Sequence, residues 1–225
     1  MSETVITVQG QHSAFYPAER ATVQLIVGFD GPQRSTVFDA ANACADGLRA
    51  RITALHDGKV GPITWWSSDR IQVWSDRPWN QEGKQLPLVH RARIGFTAKF
   101  SDFEILAKFL EELASVEGVT IGSIEWALTE AHRTAVTAEV RTRAVKDAID
   151  KATVYAKAIG LGSVRAVAIA DPGMLGDQVG ASGHVEMAMA SRAFKAADAG
   201  GGPALSLKPE DIEVSATVDA RFVAG

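Results

Sequence analysis

Cysteine is almost absent from this sequence, since Cys44 is the single cysteine among 225 residues. A lone cysteine cannot form an intramolecular disulfide, and it cannot supply the paired thiolates of a structural zinc site. Cys44 falls on the apolar face of a predicted helix, where a thiolate is costly to desolvate. We therefore expect Cys44 to pack in the core rather than to act as a nucleophile.

Long apolar runs and an excess of basic charge are also missing. No stretch reaches the roughly 20 continuous apolar residues of a membrane-spanning helix, so no membrane span is expected. The opening MSETVITVQG has neither the cationic segment nor the apolar run of a signal peptide, which predicts a soluble, cytoplasmic chain. With 23 basic residues, 27 acidic residues and a net charge of −4, the chain is not expected to bind nucleic acid.

Recognisable catalytic motifs are absent from the sequence as well. The histidines at positions 12, 56, 90, 132 and 184 lack the i, i+4 spacing that sets two metal ligands on one helix face. There is no Gly-x-Ser-x-Gly elbow and no phosphate-binding loop. The paired acids at 111–112 and 210–211 are typical of a solvated surface. We expect no catalytic residue, no metal and no cofactor, and hence a protein that is not an enzyme.

Regular strand and helix patterns are what the sequence does contain. Hydrophobic residues make up 46% and charged residues 22%, as in globular proteins, and the length suits one domain or two packed halves. Two alternating runs in the first thirty residues predict a β-hairpin or two successive strands. Further strands are predicted at 88–100, 119–128, 163–170 and from Ile212 to the end of the chain.

Three amphipathic helices are predicted between these strands. The first covers 36–56 with Ser35 as N-cap, the second follows a capping box at Ser101 and Glu104 and runs to about Ser115, and the third covers 130–159. Strands with one polar face favour an α+β fold, in which antiparallel sheet or sheets are packed on one face by about three helices, including one long helix.

Residues 172–207 differ in composition from the rest of the predicted domain, which spans 1–225. They are rich in glycine and alanine and show no sustained alternation, which predicts a flexible excursion with a short helix at 185–197. Such a segment is typical of a subunit arm or of a lid over a ligand.

The segment TWWSSDRIQVWSDRPW, residues 64–79, contains four of the five tryptophans. If the strand alternates without a break, Trp65 faces the helices and Trp66, Arg70 and Trp74 face outward, with Trp79 in the following turn. These outward residues, Trp66, Arg70, Trp74 and Trp79, are the candidate ligand-binding or subunit-interface site. An interface between subunits is favoured over a ligand site.

Four longer segments resemble the SIMPL-domain family of bacterial proteins. They read ITVQGQHSAFYPAERATVQLIVGF, STVFDAANACADGLRARITAL, AKAIGLGSVRAVAIAD and KPEDIEVSATVDARF, in the family's order along the chain. The sequence departs from many relatives in lacking an export signal, and in having Pro17-Ala18-Glu19 where a Pro-Asp pair is common.

The resemblance implies an α+β fold, homo-oligomers, and stress-related or surface roles without an accepted reaction. It brings no agreed catalytic residues. The function predicted on this basis is that of a non-enzymatic, self-associating protein, a stress-related scaffold or assembly whose partner is a second copy of itself. The alternative is a small-molecule binding module with a tryptophan-lined cleft.

Overall fold

A computed structural model describes residues 3–79, 85–175 and 207–225 of the chain. Within these residues lie three helices and eight strands. In chain order they are β1 (Thr4–Tyr16), β2 (Arg20–Gly31), α1 (Arg34–Leu55), β3 (Ile63–Ser68), β4 (Gln72–Asp76), β5 (Val89–Phe100), α2 (Phe103–Ala114), β6 (Val119–Ala127), α3 (Glu130–Ala158), β7 (Val164–Ala170) and β8 (Ile212–Ala224). The predicted α+β class with one long helix is confirmed.

The strands form two sheets that belong to two compact units. The first unit contains β1, α3, β7 and β8, with strand order β1-β8-β7. The second contains β2 to β6 with α1 and α2, and its strand order is β3-β5-β2-β6, with β4 also paired to β5. Because β1 and β2 lie in different sheets, they are successive strands and do not form a hairpin. The single domain predicted over 1–225 stays a prediction.

In the second unit, alternate residues of the two central strands form the core. β2 and β5 pair antiparallel from Ala21↔Phe100 to Gly31↔His90, which aligns their apolar positions on one face. α1 and α2 cover this face with apolar stripes that repeat every three or four residues. The fully buried large side chains here are Val23, Leu25, Val27, Ile52, Ile63, Phe96, Phe100, Leu106, Leu110 and Leu113.

In the first unit, α3 packs on its sheet through alanines rather than through large side chains. Ala144, Ala148, Ala152 and Ala156 recur every four residues and are completely buried. Small side chains let the helix backbone approach the sheet closely, and Gly10 of β1 lies directly beneath this stripe. The Asp147 carboxylate accepts hydrogen bonds from the Gln11 backbone N–H at 2.8 Å and from the Lys151 ammonium at 2.7 Å, which ties α3 to β1.

The Asp147 contacts predict a pH dependence of stability. The hydrogen bond from Lys151, followed by that from the Gln11 N–H, holds the pKa of Asp147 below its ordinary value. A depressed carboxyl pKa stabilises the fold above the unfolded pKa of about 3.9, and this contribution is lost as the pH falls through the folded pKa. Asp147→Asn should cost up to about 1 kcal/mol at neutral pH, because the carboxylate is partly exposed and screened by solvent.

Urea denaturation measures this effect when the wild type and Asp147→Asn are compared at neutral pH and again at a pH below the pKa of Asp147. The difference between the two proteins should shrink at the acidic pH. Asp150→Asn removes the same charge from an exposed position of α3 and is the matched control. A difference in stability that is the same at both pH values would contradict the prediction.

Both helix starts in the second unit differ from the predicted capping residues. The N-cap of α1 is Gln33, with no side-chain cap, instead of Ser35. The N-cap of α2 is Asp102, whose carboxylate accepts from the Glu104 and Ile105 N–H groups. The Ser101 hydroxyl donates instead to the Gly61 carbonyl at 3.0 Å, so it serves a neighbouring loop. The predicted end of α2 near Ser115 and the extent of α3 are confirmed.

Most of the predicted excursion at 172–207, including the short helix expected at 185–197, lies outside the described residues. At its near end the Gly173 N–H donates to Asp219 of β8 at 2.7 Å. Arg221 donates to the Leu175 carbonyl at 3.1 Å. These two contacts hold the chain against β8 after β7 ends.

Candidate functional site

The face of the five-stranded sheet opposite the helices carries the polar side chains of its strands. Here Arg93 of β5 lies between Gly28 of β2 and Gln72 of β4 in the strand register. In the next row Arg91 lies between Asp30 and Trp74. Successive side chains of a strand point to opposite faces of the sheet. Ala92 and Ile94, the neighbours of Arg93 along β5, therefore point into the core.

A groove of about 260 Å³ crosses this outer face next to Gly95. Its polar lining consists of Gln24, Asp69, Arg70, Gln72, Arg93 and Thr97. A Cβ on Gly95 would meet the Asp69 carboxylate, so a larger residue there would displace that side chain. The Asp69 N–H also donates to the Gly95 carbonyl at 2.8 Å, which holds the segment between β3 and β4 against β5.

A second groove, of about 320 Å³, adjoins the first on the same face. It is lined by Ile26, Gly28, Asp30, Trp74, Arg91 and Arg93, among others. Ile26 and Arg93 line both grooves, so Arg93 stands at their junction. The second groove is the more apolar of the two, because Phe29, Trp74 and Ala92 also line it.

The arginines of these grooves differ in their partners. The Arg91 Nε donates to the Asp76 carboxylate at 2.9 Å, which neutralises that guanidinium. Arg70 and Arg93 are both exposed and make no ion pair with any residue that the structure describes. Two guanidiniums with no ion-pair partner in the described part of the chain thus face the first groove, and that of Arg93 also faces the second.

The prediction that Trp65 faces the core and Trp66 faces outward is wrong. Trp66 packs against the core cluster, whereas Trp65 is half-exposed on the outer face, with the Lys99 ammonium 6.0 Å from the centre of its ring. The physical reason is a register shift between Ile63 and Trp65, which places Ile63 and Trp66 on the same side of the sheet.

The strand also breaks after Ser68, so the alternation expected across the whole segment starts again in β4. As predicted, Val73 packs inward and Trp74 faces outward. Of the four predicted site residues, Arg70 lines the first outer groove and Trp74 lines the second. Trp66 lies on the opposite face, and Trp79, which is 82% exposed, lines neither groove.

The order of these elements has a counterpart among known sequence families. The sequence profile of SIMPL, a protein of unknown function (DUF541), matches residues 6–222. The chain belongs to the SIMPL family. None of the curated proteins compared with this SIMPL chain matches it in sequence. The resemblance noted from the sequence is thereby confirmed.

Two features of the SIMPL chain bear on catalysis. In the second unit the Ser75 hydroxyl lies 2.6 Å from His90 Nδ1, a cross-strand pair that sequence reasoning missed because its partners are 15 residues apart. Hydrogen bonds among the described residues supply no carboxylate to orient this histidine as in a catalytic triad. The described residues also contain no group of three or more His, Cys, Asp or Glu side chains placed to hold a metal ion.

Cys44 is partly buried against the core of the second unit, as predicted. Its thiol donates to the Glu117 carbonyl at 3.6 Å. Burial raises the pKa of Cys44, with a smaller opposing effect from Arg51. The side chain is therefore a thiol at neutral pH, which makes it a poor nucleophile.

The first unit of this SIMPL chain presents a different kind of surface at β7. β7 is an outer strand of its sheet, paired antiparallel with β8 on one side only among the described residues. Its sequence VRAVAIA carries one charge, on Arg165, and Val167 and Ile169 are 44% and 52% exposed. None of the helices in the described part of the chain is both long and apolar enough to cross a membrane.

Proposed function

We propose that this SIMPL protein is a non-enzymatic, self-associating protein whose copies join through the free edge of β7. One observation carries the proposal: within the described residues one edge of β7 is left unpaired, beside the exposed apolar side chains of Val167 and Ile169. Natural edge strands are usually protected by charges, prolines or covering elements, and an apolar edge tends to pair with another strand.

A second copy of β7 is the natural partner for this edge. Two antiparallel β7 strands related by a two-fold axis would join the three-stranded sheets of two copies into one six-stranded sheet. The small side chains of Ala166 and Ala168 leave the backbone accessible. Tyr155, near the end of α3, and Ile159, just after it, are exposed and add apolar area in the same unit. Pairing would then bury both backbone and apolar groups.

Replacing Val167 with lysine tests this interface. A lysine on the edge strand adds charge and a long solvated side chain, which opposes strand pairing. Analytical ultracentrifugation should show a concentration-dependent assembly of the wild type and a shift of Val167→Lys toward the monomer mass of 23.9 kDa. Because Val167 is partly exposed already, thermal unfolding of the variant should change little.

Val5→Lys is the matched control, because Val5 is 59% exposed on β1, which is the opposite outer strand of the same sheet. This variant should assemble as the wild type does. A wild type that stays monomeric at high micromolar concentration would contradict self-association. Dissociation by Val5→Lys with no effect of Val167→Lys would contradict the assignment to β7 and favour the β1 edge.

The subunit interface proposed here differs from the one inferred from the tryptophans. An interface that includes Trp66, Trp74 and Trp79 needs all three on one accessible surface, and Trp66 is partly buried against the core on the opposite face. The alternative function, a tryptophan-lined ligand cleft, meets the same difficulty. Trp74 alone among them lines an outer groove, which favours a ligand site centred on other side chains. A stress-related role stays an expectation from the family resemblance.

A further inference from the structure

The first outer groove of the second unit carries more positive than negative charge, although the chain as a whole is acidic. The first groove has the guanidiniums of Arg70 and Arg93 against the single carboxylate of Asp69. In the second groove Arg93 stands against Asp30, because Arg91 is already paired with Asp76. The whole chain has a net charge of −4. A local excess of positive charge on an acidic protein attracts anions to this face.

We propose that the junction of these grooves binds a small organic acid, with its carboxylate on Arg93 and its apolar body beside Ile26 and Trp74. Arg93 is the central residue because it lines both grooves and has no ion-pair partner among the described residues. The neighbouring Arg91 is engaged by Asp76 at 2.9 Å. A planar guanidinium with free donors binds a carboxylate through two parallel hydrogen bonds.

The floor beside Arg93 leaves room for the body of such a ligand. Gly28, the register partner of Arg93, has no side chain, and a Cβ built there meets only the Ala92 carbonyl oxygen, at 4.0 Å. Its backbone is not left-handed, so neither packing nor backbone conformation requires glycine at this position. At Gly95, in contrast, an added Cβ would meet the Asp69 carboxylate above it. The open space at Gly28 is therefore available to a ligand.

The shape and lining of the second groove favour a flat apolar body. Its volume of about 320 Å³ is at the small end of the range for ligand pockets. The indole of Trp74 and the side chain of Ile26 border it, and an indole offers a flat apolar surface for stacking. An arylacetate combines the required carboxylate with a body of this kind. The proposal does not rest on self-association, because the grooves and β7 belong to different units.

Ligand-detected NMR with the full chain and phenylacetate tests the site, because this method suits weak ligands and large assemblies alike. Two further probes separate the parts of the proposal. The neutral 2-phenylethanol has the same ring without the carboxylate, and inorganic phosphate is an anion without an apolar body. We expect saturable binding of phenylacetate, with much weaker binding of the other two, and a loss of affinity at high salt.

Three variants locate the binding site. Arg93→Gln should weaken phenylacetate binding by about 10- to 100-fold, because a charge-assisted pair of hydrogen bonds is lost. Lys99→Gln removes the same charge from the same face of β5 at a position outside both grooves, and should change the affinity less than about 3-fold. Gly28→Val should fill the groove and abolish binding while thermal stability is unchanged or higher, because valine favours strands.

Each remaining outcome overturns the proposal. If phenylacetate does not bind saturably, the proposed site does not exist. Binding of 2-phenylethanol with the same affinity would show that the site does not recognise the carboxylate. Binding of phosphate with the same affinity would show that it does not recognise the apolar body. Unchanged affinity in a folded Arg93→Gln or Gly28→Val variant places any bound phenylacetate elsewhere. Because Val167→Lys is tested by assembly and Arg93→Gln by ligand binding, failure of one proposal is distinguishable from failure of the other.

Discussion

Replacing Gly10 with alanine should destabilise the first unit by about 3 kcal/mol or more, since overpacking against a backbone cannot be relieved by a change of rotamer. A Cβ on Gly10 would lie 2.7 Å from the Cβ of Ala148 and closer still to the carbonyl oxygen of Ala144. Both atoms belong to α3, so the helix has to move away from β1. That movement separates the alanine stripe from the sheet it covers.

Thermal unfolding followed by far-ultraviolet circular dichroism measures this effect, because α3 is the longest helix of the described chain. Thr7→Ala is the matched control, since Thr7 is exposed on the opposite face of the same strand. The control should lower stability by less than about 1 kcal/mol. A Gly10→Ala protein as stable as the control would show that α3 does not pack as closely on β1 as described.

Replacing Gly118 with alanine should destabilise the second unit by about 2–4 kcal/mol, for two separate reasons. Gly118 has φ of +79°, a left-handed conformation that costs a residue with a Cβ about 1–2 kcal/mol. A Cβ there would also overlap the ring of Phe29, which packs against two core clusters. The Gly28 N–H also donates to the Gly118 carbonyl at 2.8 Å, and this hydrogen bond holds Gly118 against β2.

Tryptophan fluorescence is the appropriate measurement for Gly118→Ala, because all five tryptophans lie in the second unit. Gly160→Ala is the control for the cost of the left-handed backbone alone. Gly160 has the same φ of +79°, but nothing lies within 4 Å of an added Cβ. Because Gly160 follows α3, the unfolding of the Gly160→Ala variant is followed by circular dichroism. If both substitutions cost the same, overlap with Phe29 contributes nothing and the packing described for that ring is wrong.

Much of the fold was predictable from local patterns. The alternation at 88–100 and from Ile212 onward predicted β5 and β8, and the apolar spacing predicted all three helices within a few residues. These patterns report which residues are buried, and burial follows from the period of each element. The helix starts were less predictable, because Ser35, Ser101 and Asp102 are all acceptable caps and tertiary contacts select among them.

The candidate site was predictable only in part. Arg70 and Trp74 were correctly expected on the outer face, but the assignments of Trp65 and Trp66 were reversed. A single shift of register between Ile63 and Trp65 exchanges the two faces, and the alternating pattern contains no sign of it. Arg93 was not singled out, since its neighbours Gly28 and Gln72 are distant in sequence and meet it only through strand pairing.

The sequence by itself determined the α+β class, the three helices and membership of the SIMPL family, because these depend on local periodicity and on the order of segments along the chain. Only the tertiary structure decided that β1 and β2 enter different sheets, that Trp66 packs inward while Trp65 faces outward, and that one edge of β7 has no partner among the described residues. Such features depend on which strands pair and in what register, which is set by contacts between residues far apart in the sequence.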